Sequence, residues 1–231
     1  MQPRLAAIRA AFPSEGLFAE KEWLLSPEPF SITPRQHEEL QKLGYRLLLF
    51  QRACNELYFR SIKAKAPAWI ADYVDRGKPA ELIELGRRKE TRADLPTVIR
   101  PDLVVTEEGY AIAEIDTVPG GIGVTAWLNQ TYSRFGTYDV IGGERAIDDF
   151  PHHPWILQKF HHARVLEHPY FDPATSEEQK MRGRARLCPY YFVREGKAVL
   201  SGALATIVPS DKKILHGMKD AILVPTVVGA E

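Results

Sequence analysis

The chain contains only two cysteines, Cys54 and Cys188, and they form no CxxC pair. That scarcity excludes a disulfide-stapled scaffold and a zinc site built on paired thiolates. Cys54 falls on the apolar face of a predicted helix and Cys188 in a predicted strand, so both read as buried free thiols. Neither sign of charge is in excess, with 30 Lys+Arg against 30 Asp+Glu. The global balance therefore points to neither nucleic acid nor an anionic membrane as partner, and any phosphate site must come from a local cluster. No apolar run reaches the roughly 20 residues that cross a bilayer. The N-terminus, MQPRLAAIRAAFP, is too weakly apolar for a signal peptide, so a cytoplasmic location is expected. Internal repeats, low-complexity tracts, a Walker loop and a GxGxxG fingerprint are all missing.

What is present is ordinary globular material. The chain has 231 residues, 45% of them hydrophobic and 26% charged, enough for one large domain or two small ones. The first 32 residues, broken by Pro3, Pro13, Pro27 and Pro29, predict a short helix and loop. TPRQ then marks a helix start, with Thr33 as cap, Pro34 at the first helical position and Gln36 completing a capping box. Leu40, Leu43, Leu47, Phe50, Cys54 and Leu57 recur at helical spacing and predict a helix to about Lys63. PAWIADYV and PAELIELG read as two shorter helices.

From residue 97 the period changes to two. TVIRPDLVVT and YAIAEID predict a hairpin, and VTAWLNQTYSRF a helix behind a glycine loop. PWILQKF, RARLCPYYFV, AVLSGALATIV and AILVPTVV read as strands. Together these predict an α+β fold, with α/β as the alternative: a helical region over residues 1–96, then a mixed, mostly antiparallel sheet over residues 97–231.

The hairpin carries the chemistry. With Glu107, Glu108 and Gly109 as a three-residue loop, Asp102 stands opposite Glu114 and Arg100 opposite Asp116. All four project from one face, while Leu103, Val105, Ala111, Ala113 and Ile115 occupy the other. Like charges directly opposite repel. Such a face needs a counter-charge, a shared proton, a hard cation such as Mg²⁺, or open water.

These residues resemble the synthetase domain of glutathionylspermidine synthase and, more broadly, the circularly permuted ATP-grasp ligases. The resemblance rests on Arg100-Pro-Asp102 followed by Glu114-Ile-Asp116-Thr-Val-Pro-Gly, within residues 95–135. It implies Mg²⁺ at Asp102, Glu114 and Asp116, ATP as cosubstrate, and a catalytic, phosphoryl-facing role for Arg100. Asp116 departs from the pattern, because the family usually has Asn there. The implied reaction phosphorylates a small-molecule carboxylate with ATP, after which an amine displaces phosphate. Charge neutralisation by cations dominates such chemistry.

Other segments extend the candidate site. Gly120 and Gly121, in PGGIG ahead of a helix, offer amides to an anion, although glycines also simply make turns. HHPWILQKFHH resembles the adenine-facing hinge strand of that family, with Gln158 and Lys159 as candidate contacts. Its histidines lack the accompanying ligands of a zinc site. Arg182, Arg184 and Arg186 alternate on one strand face and need anions, either carboxylates of a neighbouring element or phosphates, with Arg184 assigned a catalytic part. Lys212, Lys213 and His216 lie in a loop before the last strand.

One feature of the family is missing. Residues 136–152 separate the hairpin and its helix from the hinge-like strand, whereas even a minimal βαβ unit takes about 30 residues. The central ATP-binding lobe cannot fit there. The expectation is thus a shortened ATP-grasp-like protein related to carboxylate–amine ligases. The alternatives are a non-catalytic nucleotide- or anion-binding protein and an inactive fragment. Exposed apolar surface left by the lost lobe would favour homo-oligomers.

Overall fold

A computed structural model of the chain describes residues 2–11, 22–135, 138, 140–142, 162–212, 214–215 and 219–229. Five helices run α1 (Gln2–Ala10), α2 (Pro34–Ile62), α3 (Trp69–Asp75), α4 (Ala80–Arg87) and α5 (Ile122–Ser133) among these residues. The strands are β1 (Phe30–Ile32), β2 (Val98–Val105), β3 (Tyr110–Asp116), β4 (Val165–Phe171), β5 (Glu178–Arg194), β6 (Lys197–Pro209) and β7 (Ile222–Val228). They form one seven-stranded sheet in the order β1-β7-β6-β5-β2-β3, with β4 also paired to β5. Only β1 against β7 is parallel; the other pairs are antiparallel. The fold is α+β, as predicted.

The long strand β5 organises the sheet. One edge pairs with β6 along Gly183–Arg194, while the other takes β4 in its first half and β2 in its second. Adjacent side chains on a strand point to opposite faces, and Tyr190 and Tyr191 mark the two. Tyr191, fully buried, donates its hydroxyl to the Leu40 carbonyl of α2 at 2.6 Å. Tyr190 donates to the Gly120 carbonyl just ahead of α5 at 2.9 Å. Helix α2 thus covers one face and α5 the other.

The predicted capping box of α2 is present, with Gln36 N on Thr33 Oγ1 and Thr33 N on Gln36 Oε1. The apolar stripe of this helix is corrected in its second half. Leu40, Gly44, Leu47 and Leu48 are buried, but Phe50, Cys54 and Leu57 are exposed. Gln51, Cys54, Asn55 and Tyr58 instead line a cavity of about 400 Å³ shared with α3, α4 and residues 94–96. Past the sheet, helix-on-helix contact replaces helix-on-sheet contact and the stripe rotates. Cys188 is buried as expected; Cys54 is not.

β1 and β4 went unpredicted. The first is three residues long. The second, VLEHPYF, carries Pro169 and the buried His168, which blur a strand signal. The predicted strand PWILQKF lies outside the described residues.

Candidate functional site

The predicted register places Arg100 opposite Asp116 and Asp102 opposite Glu114, and both pairs occur. The loop between the strands differs. Val105 pairs with Tyr110, so the turn has four residues, 106–109, with Gly109 at φ 140°. The register then shifts between Asp102 and Leu103, leaving Ala113 as the extra residue of a bulge. The bulge compensates the longer loop and returns the four charged residues to facing positions. The predicted core face of β3 is corrected: ahead of the bulge Ile112 stands opposite Leu103 and Ala111 opposite Val104, and Ala111, Ala113 and Ile115 are only half-buried while Ile112 is exposed.

On its other side β2 meets β5. The pairing runs to Ile99 with Tyr191 and resumes at Leu103 with Leu187. Continuing that register sets Pro101 opposite Pro189. Neither has an N–H to donate, so the ladder breaks between them. The same register places Asp102 beside Cys188 and Arg100 beside Tyr190.

Around this gap the side chains interlock. Arg100 Nε donates to Asp102 Oδ1 at 2.9 Å, and Arg186 Nη1 donates to Asp102 Oδ2 at 2.7 Å. The Cys188 thiol reaches Asp102 Oδ1 at 3.4 Å. Asp102 is only 3% exposed, so two guanidinium groups compensate one buried carboxylate. Arg100 also donates from Nη1 to the Gly120 carbonyl at 2.9 Å, lies over the Tyr190 ring, and approaches Asp116 Oδ2 at 3.4 Å. Burial opposes the Arg100 charge, but Asp102 and the other groups around it outweigh burial and raise its pKa. Burial pushes the Cys188 thiol up to about 12 and the Tyr190 phenol up to about 12, so both remain protonated donors at neutral pH.

The like-charge problem across the hairpin is thus met by arginine. Asp102 turns inward between Arg100 and Arg186, while Glu114 is exposed. Asp116 accepts from the Val118 amide at 2.9 Å, closing a local turn. Asp102, which the resemblance gives to a metal, is here the counter-charge of Arg100 and Arg186. Both of its oxygens are engaged, and among the described residues no group of three or more His, Cys, Asp or Glu could hold a metal. Asp116 is engaged on both oxygens as well, by the Val118 amide and by Arg100, whereas Glu114 is exposed.

Arg182, Arg184 and Arg186 share one face of β5, since no register shift interrupts the strand between them. Their surroundings differ. Arg182 is exposed and stands beside Glu167 of β4. Arg186 is anchored to Asp102, but its Nε is buried with no hydrogen-bond partner. Arg184 lies between Val165 and Val208; its Nε is likewise buried and unpartnered, and no ion pair holds it among the described residues.

The glycine loop meets the cluster with the Gly120 carbonyl, which accepts from both Arg100 and Tyr190. Gly121 caps α5 in the left-handed region at φ 81°. Gln158, Lys159, Lys213 and His216 lie outside the described residues. Lys212 is paired with Asp220 at 2.8 Å. Cys188 and Tyr190 were missed as site residues. The alternation that carries the three arginines continues through both, and that was the available signal.

No family model, no curated protein and no solved structure matches this chain.

Proposed function

We propose that this protein is a shortened, ATP-grasp-like relative of the carboxylate–amine ligases, and that the arginine face of β5 takes the phosphates of ATP. Arg184 carries the reading. A half-buried guanidinium that no ion pair holds among the described residues is costly unless an anion completes it. Arg186 stands two residues along the same strand face, and planar guanidinium groups suit phosphate oxygens. Asp102 holds Arg100 and Arg186 in place from behind. The resemblance would give Mg²⁺ to Asp102, Glu114 and Asp116.

A second reading, nucleotide binding without turnover, is favoured by the length of residues 136–152, too short for a lobe that closes over ATP. Closure is what excludes water and completes such sites.

Phosphate release tests both readings. Wild type and Arg184→Ala are given ATP and Mg²⁺ with pools of small carboxylates and amines. Release that needs both a carboxylate and an amine, and is lost in the variant, supports the ligase. Saturable ATP binding without release supports the second reading. Absence of both binding and release overturns the two together.

A further inference from the structure

Helix α2 turns a second surface to solvent, opposite the face that packs on the sheet. Along it run Glu38, Lys42, Tyr45, Leu49, Ala53, Glu56 and Arg60, all exposed. Successive members are four, three, four, four, three and four residues apart, spacings that keep one stripe of an α-helix in line. Two apolar members are large: Tyr45 is 63% exposed and Leu49 43%. These two are i,i+4 neighbours near the middle of the 29-residue helix.

The spacing is symmetric about Leu49, and so is the chemistry. Reversing the helix about that residue brings Tyr45 onto Ala53, Lys42 onto Glu56 and Glu38 onto Arg60. Each apolar position meets an apolar one, and each charge meets its opposite. A parallel, in-register pairing would instead set every charge against itself. The small Ala53 leaves room for the Tyr45 ring, and Leu49 packs on its own copy.

We infer that α2 is the interface of an isologous dimer, in which two copies pair antiparallel across a two-fold axis at Leu49. The occupant of the stripe is a second copy of this chain, because the pattern is complementary to itself and a point-symmetric contact closes after two subunits. The alternation of three and four is that of helices crossing at a shallow angle, near 20°. Lys42 already touches its own Glu38 at 2.6 Å, and Glu56 stands 4.0 Å from Arg92. A second copy joins these two separate pairs into one chain of alternating charge. The ion pairs fix direction and register, and the apolar centre supplies the affinity. The inference does not depend on the nucleotide site, which lies on the opposite face of the sheet.

Sedimentation velocity across a concentration series tests it on the full chain, with circular dichroism to check that each variant is folded. Wild type should dimerise. Leu49→Arg, which sets two cations together on the axis, should weaken association at least about tenfold. Lys42→Glu and Glu56→Lys should each weaken it, and the double variant, in which both charges are exchanged, should recover it. Leu49→Cys in a Cys54→Ser background should form a disulfide-linked dimer on mild oxidation, whereas Glu38→Cys in the same background should not. A monomer at every concentration overturns the inference. So does a dimer that Leu49→Arg leaves intact, or a double variant no tighter than either single one.

Discussion

Arg186 Nη1 lies 2.7 Å from Asp102 Oδ2, joining residues 84 positions apart across a break in the sheet. The break comes from two prolines facing each other, and the ion pair fills the place where the ladder stops. Removing the carboxylate would leave Arg100 and Arg186 uncompensated in a buried setting. Asp102→Ala should therefore lose about 3–5 kcal/mol of unfolding free energy. Glu114→Ala, at an exposed position on the facing strand, should stay within about 0.5 kcal/mol of wild type. Urea unfolding of the two variants measures the contrast.

His168 predicts a pH dependence. It is buried beside Ser26 Oγ at 3.1 Å and the Glu28 carbonyl at 3.3 Å. Burial lowers its pKa from 6.5 to about 4. Between these values the unfolded chain binds the proton more readily than the fold does, so stability rises with pH. The contribution is full above pH 6.5 and falls away as pH drops toward 4. By linkage the loss amounts to about 3 kcal/mol. Thermal unfolding across this range should show the slope, and His168→Gln should remove it.

Gly44 predicts a steric limit. A Cβ there would come 2.5 Å from Cδ1 of Tyr191, a ring that is fully buried and held by its hydroxyl to Leu40. Gly44→Ala gains helix propensity of about 1 kcal/mol but forces the ring aside. Overpacking of this kind costs about 1–3 kcal/mol, so the variant should be less stable or at best neutral. Equilibrium unfolding by urea decides the sign.

How much of this was legible before the fold was known depends on the range of the interaction. The alternation of the hairpin could be read, and its four charged residues were placed in the right pairs, although the loop is one residue longer and the pairs next to it are shifted by one. The bulge at Ala113 hid that error. The capping box was equally local. The partners of Asp102 were not readable, because Arg186 and Cys188 meet it only through the pairing of β2 with β5. Nor could the helical period of α2 show that its neighbour changes from sheet to helices midway, which is why Phe50, Cys54 and Leu57 were assigned to the core.

The most direct test of the central claim is thermal unfolding with ATP and Mg²⁺, added separately and together, for wild type and Arg184→Ala. A ligand at 100 times its dissociation constant adds about 2.7 kcal/mol of stability. The account predicts that stabilisation in wild type and its loss in the variant. An equal shift in both proteins, or none in wild type, would contradict it.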